Sequence, residues 1–381
     1  MDKLPVYQCA LCGESIAMEN DSKEHIVPLA IGGRRKVRNF ICRDCNNRAG
    51  HQWDAELAKQ FSWFSAVLDI KRESGTPAPK VKITTIDQQE VYLHAGGRLE
   101  LTKPTFEDVA LPEGGRQISF RARTEREAKR ILRGLQCKYP EHDFSSMAEG
   151  LVIESTTPGV FKAEFSFGGE FAGRSIVKTA IAMAHSIGIP QWQCDYAVRY
   201  LRNENATPAF GEFLARDLIV DRPDSKIFHV VAIAGDPVHK RLFAYVEYFG
   251  LARFVVHLSL DYSGDSIQQS YAFDPTTGEE IELQVDLISL SESEHSLVLN
   301  NEAASSFEAR MAAFEYAMPI VFSVVRAKQN QQAIGQALED ACIELGLHPG
   351  QELDEKTAKQ LAKCLTNKLM PHLLHRIRRR H

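Results

Sequence analysis

Residues 24–33 read EHIVPLAIGG. An acid and an imidazole run directly into Ile26-Val27, a proline and a double glycine. The β-branched pair suits an extended backbone and Gly32-Gly33 suit a loop, so a short strand ending in a turn is predicted. Shape accounts for the apolar residues and the glycines. It does not account for Glu24-His25, whose purpose has to come from the flanking sequence.

Cys9-Ala-Leu-Cys12 precedes the stretch and Cys42-Arg-Asp-Cys45 follows it. Two C-x-x-C pairs with about thirty residues between them can bring four thiolates to the corners of one tetrahedral zinc site. A redox pair would need a single C-x-x-C in a βαβ setting, whereas here two pairs bracket one module. With all four positions filled by protein, zinc would hold the fold and leave no place for substrate. The other cysteines, Cys137, Cys194, Cys342 and Cys364, stand alone and are expected to be ordinary buried residues.

The order Cys9-x2-Cys12, Glu24-His25-Ile-Val-Pro28, Gly32-Gly33, Asn39, Cys42-x2-Cys45-Asn46-Asn47 resembles an HNH endonuclease domain in its zinc-stabilised form. The resemblance covers about residues 5–60 and implies the ββα-metal fold. It also implies roles. His25 stands where the family keeps its general base, and a neutral imidazole can take a proton from water near neutral pH. Glu24 stands where the family has a metal-binding carboxylate, more often Asp. Asn39, fourteen residues after His25, stands at the central asparagine that braces the histidine loop. Asn46, directly after the fourth cysteine, stands at the second metal ligand, making this an H-N-N variant; Asn47 and His51 are its rivals for that role. The segment from Asn39 to Cys42 is shorter than the family's usual one. Oxygen and amide ligands at this second site imply Mg²⁺ or Mn²⁺. A competing reading is a catalytically silent domain kept for binding.

The formal net charge is −5, yet it is unevenly spread. Arg34, Arg35, Lys36, Arg38, Arg43 and Arg48 surround the proposed site with one acid, Asp44, among them. The C-terminus carries Lys368, Arg376, Arg378, Arg379 and Arg380 with no acid from Lys368 onward. Local basic patches of this kind suit a phosphate backbone even on an acidic protein. The 381 residues are 44% hydrophobic, enough for two or three domains. No run approaches the roughly 18 apolar residues of a membrane span, and the N-terminus lacks a signal pattern, so a cytoplasmic protein is expected.

Three regions are expected: 1–73 as the HNH domain, 80–290 as a mixed α+β targeting or sensing domain, and 291–381 as a helical region with a basic tail. Residues 74–80 (SGTPAPK) read as a linker. Strands are predicted at 81–85, 91–94, 117–120 and 160–167, and Thr124-x-x-Glu127 opens a helix. Ile176, Ala180, Met183, Ala184 and Ile187 mark an apolar helix face. From Phe228 four or five closely spaced strands predict an antiparallel sheet, and Pro319 is expected to interrupt the last helices. His229, His239 and His257 lack metal-ligand spacing and read as packing or surface residues. The whole is an α+β chain. Its arrangement is similar to bacterial restriction and anti-phage nucleases, which implies DNA as substrate, and a defence partner or small-molecule activator. One catalytic centre would nick, and a homodimer would be needed for double-strand breaks. A non-catalytic zinc-knuckle DNA-binding protein and an RNA nuclease are the alternatives.

Overall fold

The computed structural model describes residues 7–112, 115–144, 161–300, 306–348 and 350–378. The chain forms two compact units, Met1–Ala317 and Met318–His381. The expected regions 1–73 and 80–290 therefore lie together within the first.

The N-terminal module is built from very short pieces. Strands β1 (Tyr7–Gln8) and β2 (Ser15–Ile16) form a hairpin around the first C-x-x-C pair. Strand β3 (Glu24–His25) pairs antiparallel with β4 (Lys36–Val37), setting Glu24 opposite Val37 and His25 opposite Lys36. Helix α1 (Arg43–Ala49) passes through a π turn at Gly50–Asp54 into α2 (Ala55–Gln60), and α3 (Ser62–Val67) follows. This is the expected ββα order. The glycine pair between the strands is demanded by space. A Cβ on Gly33 would lie 1.7 Å from the Val27 carbonyl oxygen. Gly32 has φ 105° and faces Pro275, which a Cβ would meet at 2.7 Å.

Strands β5 (Val81–Thr85), β6 (Glu90–Leu93) and β7 (Leu99–Leu101) form a meander, and β8 (Thr105–Ala110) pairs with β9 (Arg116–Arg121). Helix α4 (Glu125–Lys138) starts at Thr124, whose hydroxyl accepts from the Glu127 backbone N–H at 3.2 Å. The predicted strand at 160–167 shrinks to β10 (Phe161–Lys162), which joins the meander beside β5, and residue 160 lies outside the described residues. Its alternation has another cause. Phe165 and Phe167 pack on Phe61, Trp63 and Phe64 of the N-terminal module, so the periodicity reflects an aromatic cluster rather than strand pairing.

Helix α5 (Glu170–Ser186) is the organising element, buried without a break from Ala172 to Ala184. It packs on the sheet with one face and on the N-terminal module with another. After α6 (Asp195–Arg202) come β11 (Phe210–Glu212), β12 (Ile219–Val220), β13 (His229–Asp236), β14 (Arg241–Tyr248), β15 (Ala252–Ser259), β16 (Ile267–Phe273), β17 (Glu280–Ile281) and β18 (Gln284–Val285). The antiparallel sheet has the order β11-β15-β14-β13-β16-β17, while β12 pairs with β18. Strands β13 to β15 are almost wholly buried. Their near-continuous apolar sequence follows from both faces being covered. Helix α7 (Glu292–Leu299) begins at a Ser291 capping box.

Helix α8 (Phe307–Leu345) runs unbroken through Pro319, contrary to the expected interruption. A proline removes one i→i−4 hydrogen bond, and a helix this long keeps the rest. Helix α9 (Glu355–Arg378) ends the described chain. Arg379 and Arg380 lie outside the described residues. Of the four lone cysteines only Cys194 is buried; Cys137 is exposed, and Cys342 and Cys364 are half-buried on helices.

Candidate active site

The four cysteines converge. The sulfurs of Cys9, Cys12, Cys42 and Cys45 all lie within 4.8 Å of one another, and Cys12 and Cys42 are 3.8 Å apart. Tetrahedral zinc with Zn–S bonds near 2.3 Å places its sulfurs about 3.8 Å apart, so the cluster fits structural zinc. Backbone and side-chain donors support the thiolates: the Cys42 N–H reaches the Cys9 sulfur at 3.3 Å, and Arg48 reaches that of Cys45 at 3.2 Å. Arg202 of α6 ties the first knuckle to the larger fold through the carbonyls of Ala10 (2.9 Å) and Cys9 (3.2 Å).

Within this clamp β3 divides its two polar residues, because successive strand residues face opposite ways. Glu24 turns inward and is 5% exposed. There it meets Lys178, which comes from the middle of α5 and has no exposed surface. The same ammonium donates to Asp54 at 2.6 Å, and the Ser175 hydroxyl donates to the other Asp54 oxygen at 2.6 Å. Asn46 also hydrogen-bonds the Glu24 carboxylate. Burial works against a charge on Lys178, but the carboxylates of Asp54 and Glu24 outweigh it and raise its pKa above the ordinary lysine value.

The π turn explains how one helix supplies both Asn46 and Asp54. In a uniform α-helix residues eight apart are about 80° out of line around the axis. A π turn admits roughly one more residue per turn, bringing Asp54 back over Asn46. Neighbouring contacts extend the junction: Arg174 lies over the Trp53 ring, and His185 Nε2 meets the Arg38 carbonyl at 2.9 Å. Ser175, Lys178 and His185 thus share the face of α5 that reads the N-terminal module, while Ile176, Ala180 and Met183 face away from it.

His25 turns the other way and is half-buried. Its pKa is lowered to about 4, by burial first and then by the positive charge of Lys36, with Glu73 opposing and Lys178 and Arg34 contributing. Lys36 is itself paired with Glu73 at 2.5 Å. The imidazole is therefore neutral at cellular pH and carries a lone pair for a proton. Asn39, two residues after β4, adopts φ 57°, a left-handed position that asparagine tolerates, and its backbone N–H donates to Asp21 at 2.8 Å. Asn47 and His51 are exposed. Several of the basic residues have internal partners: Arg34 donates to the Lys71 carbonyl, Arg35 lies over Tyr271, and Arg38 pairs with Asp21 at 3.2 Å. Arg43 is exposed at the start of α1.

Residues 9–62 match the family model for HNH endonucleases, and with the four-cysteine cluster they constitute an HNH endonuclease domain at the N-terminus. No curated protein and no solved structure matches the chain.

Zinc suits the cysteines, but a divalent ion held by Glu24 and Asn46 does not suit the arrangement around them. The carboxylate already carries a buried ammonium, which would stand beside the incoming ion. Among the described residues the cysteines are the only cluster of three or more His, Cys, Asp or Glu side chains able to hold a metal. Sequence reasoning passed over Asp54 and Lys178. One signal was present: a lysine inside SIVKTAIAMA, a segment apolar on nearly every side.

Proposed function

We propose that the chain is a nuclease that hydrolyses the phosphodiester backbone of DNA, with His25 accepting the proton of the attacking water. The observation that carries this reading is a half-buried imidazole on the outward side of β3, opposite Lys36 and inside a domain of the HNH endonuclease family. Asn39 shapes the turn that follows β4. Glu24 and Asn46 hold β3 against α1, which fixes where His25 points. Arg43, with the neighbouring Arg34, Arg35, Lys36, Arg38 and Arg48, supplies positive charge for the backbone. The Mg²⁺ or Mn²⁺ expected of the family is a separate question from Glu24, and an EDTA control addresses it. The appended region would target or regulate cleavage in the cytoplasm, in restriction or defence against phage. No helix among the described residues is long and apolar enough to cross a membrane.

A second reading, a zinc-knuckle DNA-binding protein without catalysis, is favoured by one observation: the acid beside the base is bound to Lys178. Supercoiled plasmid incubated with zinc-loaded protein and Mg²⁺, Mn²⁺ or EDTA separates the two. The nuclease reading expects conversion to open circles, since one centre cuts one strand. Plasmid that is retarded but intact under all conditions supports the second reading.

A further inference from the structure

We infer that the Lys178 ammonium is the resident cation of the HNH centre, filling the place between Glu24 and Asp54 and closing Glu24 to a divalent ion while α5 is seated. This deepens the nuclease reading, on which it rests, by naming the cation at the carboxylate beside the base.

Three features support it. Lys178 is placed as a counter-ion, with two carboxylates on one ammonium and neither it nor Glu24 open to solvent. The carboxylates are oriented by further donors, Ser175 on Asp54 and Asn46 on Glu24, as the ligands of an ion would be. The lysine also has little freedom to leave, because α5 is buried over its whole central length and anchored at both ends. Arg174 donates to the Tyr200 carbonyl at 2.6 Å, and His185 meets the Arg38 carbonyl at 2.9 Å.

A swinging lysine that yields to an ion would need room to move, and Lys178 itself has no exposed surface. Two carboxylates and one ammonium leave one net negative charge at the centre. A divalent ion added beside the lysine would reverse that sign next to a fully buried ammonium. The appended region therefore does more than adjoin the nuclease domain: it supplies one of its charges.

The test is direct Mn²⁺ binding, read by electron paramagnetic resonance of the free ion, on full-length zinc-loaded protein. The proposal expects wild type to bind no Mn²⁺ that Glu24→Gln abolishes. Lys178→Met, confirmed as folded by its zinc content and circular dichroism, should gain one Mn²⁺ site that wild type lacks. Adding Glu24→Gln to that variant should remove the gained site. A Glu24-dependent Mn²⁺ site in wild type would overturn the proposal, and so would a folded Lys178→Met protein that gains none. If Lys178→Met does not fold, wild type against Glu24→Gln still decides, since that variant keeps the lysine with Asp54. Binding is read without cleavage, so failure here is distinct from failure of the plasmid assay.

Discussion

The domain has two charge centres, and they are completed in opposite ways. The cysteine clamp gathers four like groups from a segment of under forty residues and depends on an ion from outside. The centre at Glu24 gathers two carboxylates and closes them with a lysine 154 residues along the chain. The first is a local device that defines a module. The second exists only once the module has docked on α5. The nuclease domain is accordingly recognisable alone but not electrically complete alone.

The largest effect that would break this contrast lies at the clamp. Cys42→Ser, or zinc removal by a strong chelator, should unfold residues 9–62, because small knuckles fold around their metal. The expected result is loss of the near-ultraviolet signal of Trp53 together with the zinc; a well-folded, zinc-free protein would refute it.

Next is the internal centre. Lys178→Met should cost roughly 3–5 kcal/mol in chemical denaturation, since removing one partner of a buried ion pair strands the other charge. The double variant with Glu24→Gln should recover part of that loss. Equal losses in the single and double variants would show that the pair is not coupled.

A smaller effect concerns pH at the sheet and at helix α7. His229, His257 and His295 have their pKa lowered to about 4, 3 and 4, in each case chiefly by burial. Neutral His229 is fixed as one tautomer: Nδ1 accepts from the Phe249 N–H at 2.9 Å, and Nε2 donates to the Ile31 carbonyl at 2.7 Å. His257 and His295 lie ring to ring at 5.1 Å, with Arg241 opposing a charge on either and Glu292, Glu294 and Asp236 favouring one on His295. The unfolded chain binds these protons near pH 6.5 and the folded chain does not. Stability is therefore full above about pH 6.5 and declines as pH falls toward 4. Denaturation midpoints at several pH values should show that decline, and His257→Phe should flatten it. A midpoint that holds steady down to pH 4 would contradict the assignment.

The smallest effect concerns the tail. Truncation after Met370 removes Arg376, Arg378, Arg379 and Arg380 and leaves Lys368, which pairs with Glu344 at 2.8 Å. If the lost arginines meet DNA, each phosphate contact should flatten the salt dependence by about 0.9 log units per decade. An unchanged slope would assign the tail to the protein's own architecture.

The contrast between the two centres also marks what the sequence discloses. C-x-x-C spacing is local, so the clamp was legible, as were the glycine loop after β3 and the Thr124 helix start, although the strand lies at Glu24–His25 and Ile26-Val27, expected to be extended, form a bend. The apolar runs from Phe228 announced a buried antiparallel sheet. Phe165 and Phe167 misled because packing on an aromatic cluster mimics strand periodicity. Asp54 and Lys178 were hidden for a different reason. Asp54 reaches the site through a π turn that shifts helical phase, and Lys178 through a docking between distant segments. The purpose of Gly32 was likewise visible only against Pro275, in the turn after β16, whereas Gly33 is required by the Val27 carbonyl of its own loop.

On the proposed reading the outward imidazole of β3 performs chemistry while the inward acid is held by Lys178. Plasmid relaxation by wild type and His25→Ala, at equal zinc content and with DNA affinity measured in parallel, tests it most directly. Cleavage should fall by about 10²-fold or more with affinity nearly unchanged. Wild-type cleavage by His25→Ala would contradict it.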